Sequence, residues 1–144
     1  MKKKAKRSEQ LILDLLDAAA IVERRLDNAL SFSRGVSFSE YRLLRALQEA
    51  NQGLTRVALA QSLSVTPSGV TRALKPLEKL GYVATVRNER DARQSLATLT
   101  AGGATLLEDV SGVLADFYAS LQLDQLSDAR LGGYEQVLTL LRAA

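Results

Sequence analysis

Neither cysteine nor histidine occurs in this chain, tryptophan is absent too, and methionine appears once. The first two absences remove disulfides, thiol nucleophiles, thiolate and imidazole metal ligands, and the side chain that most often serves as a general base near neutral pH. Thiol-based peroxide sensing is excluded, and a transition-metal sensor would lack its usual ligands, leaving only carboxylates for hard cations. Long apolar runs are missing as well. The opening Lys2-Lys3-Lys4-Ala5-Lys6-Arg7 has the charge of a secretory signal's start, yet Asp14, Asp17, Glu23, Arg24, Arg25 and Asp27 interrupt the apolar residues after it. No signal peptide, membrane span or membrane partner is therefore expected, and a cytoplasmic location is.

The residues present fit one folded unit. A length of 144 residues, 47% of them hydrophobic and 24% charged, is average for a globular domain and far from disordered composition. The formal net charge of +3 is modest, so the position of the basic residues carries more information than their sum.

Apolar residues recur at Leu11, Leu15, Ala18, Val22, Leu26 and Ala29, with Ile12, Leu16 and Ala19 widening the stripe, which predicts a long amphipathic helix over about 8–32. Ser33-Arg34-Gly35 ends it. Ser37 and Glu40 have the spacing of a capping box, with Val36 and Tyr41 placed as a hydrophobic staple, so a second helix begins there. It turns Tyr41, Leu44 and Leu47 inward and stops near Asn51-Gln52-Gly53. Thr55 can cap a short helix that ends at Ser64-Val65. Thr66-Pro67 starts another, with a capping hydroxyl before a proline at the first helical position, and Gly81 terminates it.

Tyr82–Arg87 and Arg93–Leu99 read as a short hairpin around the polar apex 88–92. After Thr100, a cap, Leu107, Val110, Leu114, Phe117 and Leu121 are spaced by threes and fours, as are Leu131, Tyr134, Leu138 and Leu141. The expected organisation is a helix over 1–33, a helix-helix-helix-hairpin core over 34–101 and two closing helices over 102–144. The two ends would form one apolar layer. Gly132-Gly133 either loosen the start of the last helix or allow close backbone approach at an interface.

On a helical wheel Val70, Ala73, Leu74 and Leu77 occupy one arc, while Ser68, Thr71, Arg72, Lys75, Glu78 and Lys79 lie opposite. A short helix, a tight turn and a helix with an outward polar and basic face are the parts of a helix-turn-helix, whose second helix enters the DNA major groove. Ser68 and Gly69 permit close approach, Thr71 can reach a base edge or phosphate, and Arg72 can grip guanine in bidentate fashion. Taken alone, the same helix could be an ordinary amphipathic surface helix. Arg87, Arg90 and Arg93 around one tight hairpin, only partly offset by Glu89 and Asp91, favour an anion there, as on a wing in the minor groove or on flanking phosphates. The basic amino terminus is open to two readings, a frayed solvated tail or an accessory phosphate contact.

In order and spacing, Ser37–Leu44, Leu54–Ala60, Thr66–Arg72, Leu77–Val83, Arg90–Arg93 and Leu99–Gly103 resemble the MarR family of bacterial regulators, over roughly residues 8–142. The resemblance implies a mainly α fold, a winged helix-turn-helix with a two-stranded β-wing, and an intertwined homodimer joined by N- and C-terminal dimerisation helices. It places the recognition helix at about Thr66–Leu80, with Thr66, Pro67, Ser68, Gly69, Thr71, Arg72 and Lys75 toward DNA. The wing falls at about Ala84–Thr98, with Arg87, Arg90, Asp91 and Arg93 as its contact residues. Arg93 takes the role of the minor-groove arginine, buttressed by an ion pair from Asp91. Ala92 stands where the family often has a second arginine, and Pro76 also departs from its usual pattern. Proline breaks the bond to the carbonyl of Arg72 and either tilts the reading half of the helix or merely suits packing against the wing.

The function expected is a dimeric transcriptional regulator, a repressor, on a pseudo-palindromic operator of double-stranded DNA. The resemblance adds release by a small aromatic or anionic ligand, bound between the dimerisation layer and the DNA-binding lobes. Arg24, Arg25 and Tyr41 could line such a pocket, though ordinary surface and core roles suit them better. No cofactor is expected. The alternative is a winged-helix protein-interaction scaffold in which Arg72, Lys75 and Arg93 are dispensable for DNA affinity. An enzyme is not expected, because the 16 carboxylates show no catalytic spacing.

Overall fold

A computed structural model describes all 144 residues. Six α-helices and one hairpin run in the order α1 (Lys2–Arg34), α2 (Phe38–Ala50), α3 (Arg56–Leu63), α4 (Pro67–Lys79), β1 (Val83–Arg87), β2 (Ser95–Leu99), α5 (Ala101–Ser120) and α6 (Asp128–Arg142). A single 3₁₀ turn, Leu123–Gln125, joins the last two helices. No helix is long and apolar enough to cross a membrane.

Local chemistry sets the helix starts. The N-terminus of α2 is satisfied three ways: Ser37 Oγ accepts from Glu40 N at 3.1 Å, the Glu40 carboxylate accepts from Ser37 N at 2.9 Å, and Asp27 of α1 accepts from Phe38 N at 2.5 Å. The first two bonds are the expected capping box, and the third ties α1 to α2. Thr55, Thr66 and Thr100 each accept a backbone N–H three residues on, at 3.1 Å in every case, and so open α3, α4 and α5. Gly81, at φ +79°, closes α4, with Tyr82 N donating to Leu77 O and Gly81 N to Glu78 O. This pair of bonds is a Schellman motif, and its left-handed residue favours glycine.

One core joins the elements. Leu26 and Leu30 of α1 meet Leu43, Leu44 and Leu47 of α2, Leu59 and Ala60 of α3, Val70, Leu74 and Leu77 of α4, Val83 and Ala97 of the hairpin, and the apolar side of α5. Tyr41, expected inward, is only half-buried, whereas Leu43 is fully enclosed. The cause is that α2 packs against α1, α3, β2 and α5, so its apolar arc is wider than one stripe.

At its amino end α1 is helical from Lys2, six residues before the expected start, so the basic segment is helix rather than frayed coil. The ends do not form one layer within the chain. α1 packs on α5, but α6 has no substantial packing partner and buries none of its residues. Gly132 and Gly133 lie inside α6 rather than at a loose start, and no atom stands within 4 Å of a Cβ built on either.

Candidate nucleic-acid interface

α3 and α4 are joined by Ser64, whose φ of +54° reverses the chain, and by Val65, whose N–H returns to Ala60 O at 3.0 Å. This turn sets α4 against α3. Val70, Leu74 and Leu77 are each 1% exposed, so the expected inner arc of α4 is the one the core holds. Ser68, Arg72, Lys75 and Lys79 are exposed on the other side, and Thr71 is half-buried. The outward face is thus polar and basic, with two small residues near its start.

Several of these groups are already engaged. Thr66 spends a lone pair on the cap, leaving its hydroxyl hydrogen free to donate. The Thr71 hydroxyl donates to Pro67 O at 3.1 Å, which leaves it an acceptor for a base amine or a water. Gly69 has room for little else, because a Cβ there would stand 3.3 Å from Thr66 Oγ1. Pro76 lies exposed inside α4, while Leu80 N still reaches Pro76 O at 3.0 Å, so the helix continues past the missing bond.

The hairpin pairs antiparallel from Val83↔Leu99 to Arg87↔Ser95. Its middle is held by a contact that the sequence did not signal: Leu54 and Ala97 exchange two backbone bonds, of 3.0 and 2.8 Å, so the segment before α3 acts as a one-residue third strand. Gly53 makes this possible. It sits at φ +89°, and a Cβ there would come within 2.8 Å of both Ala97 O and Thr98 Cγ2. A glycine directly before a lone apolar residue, between a helix stop and a cap, was the only clue.

Arg87, Arg90 and Arg93 are exposed around the tip, and none has a carboxylate within ion-pair distance. The ion pair expected between Asp91 and Arg93 does not form. Asp91 Oδ1 instead accepts the backbone N–H of Arg93 at 3.0 Å, and Asp91 O accepts from Gln94 N. In a turn this tight, an acceptor two residues upstream meets the backbone before it meets the end of a long side chain. Asp91 therefore shapes the turn and leaves the guanidinium of Arg93 free. Asn88 does the same for Arg90 N at 3.1 Å.

Of the remaining candidates, Arg24 is exposed on α1, whereas Arg25 and Tyr41 pack on aromatic rings. Arg25 lies over the Phe117 ring at 5.4 Å from its centroid, and Tyr41 stacks on Phe38 at 6.0 Å. Where α2 faces α5, burial pushes the Tyr118 phenol above its ordinary range. Nearby Tyr41 adds to that rise and Arg45 opposes it. Arg45 also makes the one ion pair of the chain, to Glu49 at 3.0 Å.

The arrangement is matched among known proteins. The model of the MarR family matches residues 34–94, from the end of α1 through the wing tip. The HTH-type transcriptional repressor Rv2887 of Mycobacterium tuberculosis is 33% identical over 100 residues, 69% of this chain and 70% of that protein. Sco3205, a MarR family transcriptional regulator from Streptomyces coelicolor solved in complex with DNA, superposes with a TM-score of 0.85. It is 26% identical, over 94% of this chain and 86% of the other. A mutant MarR from E. coli complexed with operator DNA gives a TM-score of 0.73 at 25% identity, over 90% of this chain and 94% of that one. The chain belongs to the MarR family and is a DNA-binding transcriptional regulator of the winged helix-turn-helix type.

Proposed function

We propose that the protein is a repressor that binds a pseudo-palindromic operator as a homodimer, with two α4 helices entering successive major-groove faces about 34 Å apart. The observation that carries this reading is a pairing of two unpartnered surfaces. One is the outward polar and basic face of α4, and the other is the apolar face of α6, where Tyr134 and Leu141 are exposed. In α1, Leu11, Leu13, Leu16 and Ile21 are exposed as well. Apolar helical faces of this extent are stable in water when a second copy covers them. The division of labour is then residues 1–33 and 102–144 for dimerisation and 34–101 for DNA.

Thr66, Pro67, Ser68, Gly69, Thr71, Arg72 and Lys75 form the reading surface. Arg72 supplies a bidentate contact to guanine, and Lys75 and the cap hydroxyl of Thr66 hold phosphates. Arg87, Arg90 and Arg93 of the wing reach the minor groove or its flanking phosphates, and Asp91 shapes the turn that presents them. The name of the mycobacterial relative supports repression.

Release by a small aromatic anion completes the proposal. The anion would enter between the dimerisation layer and the DNA-binding lobes, as the family resemblance implies. Titrating the protein against its own upstream DNA and against random DNA, at two salt concentrations, tests the whole reading. Saturable preference for the upstream DNA, weakened by salt and by added salicylate, is expected. Equal affinity for both DNAs at every salt concentration contradicts operator recognition, and binding indifferent to salicylate and its benzoate analogue contradicts the ligand.

A further inference from the structure

Two side-chain bonds connect the wing to the helix-turn-helix, one from each of its helices. Arg56, at the start of α3, donates from Nη1 to Ser95 Oγ at 2.9 Å across 39 positions of sequence. On the other strand, the Thr85 hydroxyl donates to the carboxylate of Glu78 in α4. Neither charged group has an ion-pair partner. Arg56 is half-buried, unlike Arg72 and Arg93, and Glu78 is half-buried on a helix whose outward face is otherwise basic. Both charges are committed to neutral hydroxyls of the hairpin.

We infer that Arg56 and Glu78 are positioning residues that hold the wing at a fixed angle to α4, so that the recognition helix and the wing arginines meet DNA as one rigid body. The hairpin has two strands of five residues, and such a ribbon is marginal by itself. Its root is secured by the buried Val83 and its middle by Ala97 and the Leu54–Ala97 bridge, whereas Val86 and Arg87 near the tip are exposed. Ser95 is the first residue of β2, paired with Arg87 and two positions from Arg93, so the Arg56 bond grips the ribbon next to its tip. Without it the arginines would swing about the Leu54–Ala97 bridge. A mobile contact residue must be ordered when it binds, which removes much of what it contributes.

The inference rests on the reading of the wing as a DNA contact, and a double-mutant cycle separates the two. The probe is the duplex that the parent protein selects from a random-sequence pool. Arg93→Ala is expected to weaken binding about tenfold in the parent but less than about threefold in Ser95→Ala, with the tenfold effect regained in Ser95→Thr, which keeps the hydroxyl. Arg72→Ala should cost the same in all three backgrounds, because α4 does not depend on the wing for its place. If Arg93→Ala has no effect even in the parent, the wing reading fails. If it costs tenfold in both the parent and Ser95→Ala, the wing reads DNA and the clamp is overturned. A parallel fall in the Arg72 effect would mean general loss of structure and also overturn the clamp.

Discussion

Gly103→Ala is expected to lower the stability of the protein by about 3 kcal/mol, at the upper end of what overpacking costs and a large share of the roughly 5–15 kcal/mol that holds a domain folded. A Cβ at this position would lie 2.2 Å from Tyr82 O and 2.6 Å from Leu99 Cδ1. The carbonyl has no room to retreat. Tyr82 O accepts from Thr100 N, and Tyr82 N closes the Schellman motif of α4 on Leu77 O. Glycine here is what lets α5 begin directly on the root of the wing, so one methyl group would push apart the end of α4, the hairpin and the start of α5. Gly102→Ala is the control, since its nearest neighbour, Gly81 O, is at an ordinary 3.4 Å. Urea unfolding of both variants decides the matter: a Gly103→Ala midpoint equal to that of Gly102→Ala would refute the close-packing account.

Leu138→Glu is expected to break the proposed homodimer, raising its dissociation constant at least about thirtyfold, equivalent to about 2 kcal/mol. Within one chain Leu138 is half-buried on a helix that packs against nothing substantial, so little of the protomer's own stability depends on it. Across a dimer interface the same change would bury a carboxylate without a partner. Sedimentation should show monomers at concentrations where the parent is dimeric, and operator affinity should fall with them because two half-sites can no longer be held at once. A variant with unchanged mass and unchanged affinity would remove α6 from the interface.

Much of this architecture was legible because the deciding interactions are short-range. The caps at Ser37, Thr55, Thr66 and Thr100 act over three residues, and the inner arc of α4 comes from helical periodicity alone. The hairpin was legible in its β-branched strands and polar apex, although β1 begins at Val83 rather than Tyr82 and β2 at Ser95 rather than Arg93. Hidden were the features made by distant residues meeting in space: the Leu54–Ala97 bridge, the closeness of Gly103 to Tyr82, and the bonds of Arg56 to Ser95 and Glu78 to Thr85. No local pattern distinguishes a serine that receives an arginine from one that faces water. The Asp91–Arg93 ion pair that the family resemblance implies does not form for a related reason: the tight turn gives the carboxylate to the backbone. At the amino end, the charged segment is helix from Lys2, with Ala5 N donating to Met1 O and the Ser8 hydroxyl to Lys4 O.

The central claim is that α4 reads base sequence while the wing adds phosphate and minor-groove contacts. The most direct test is the affinity of the parent, Arg72→Ala and Arg93→Ala for the selected duplex and for single-base variants of it, at two salt concentrations. Arg72→Ala should lose about 1–3 kcal/mol and become indifferent to the base it reads, whereas Arg93→Ala should weaken binding with a shallower salt dependence and leave that preference intact. Parental affinity and base preference in both variants would contradict the account and point to the winged helix as a surface for another protein.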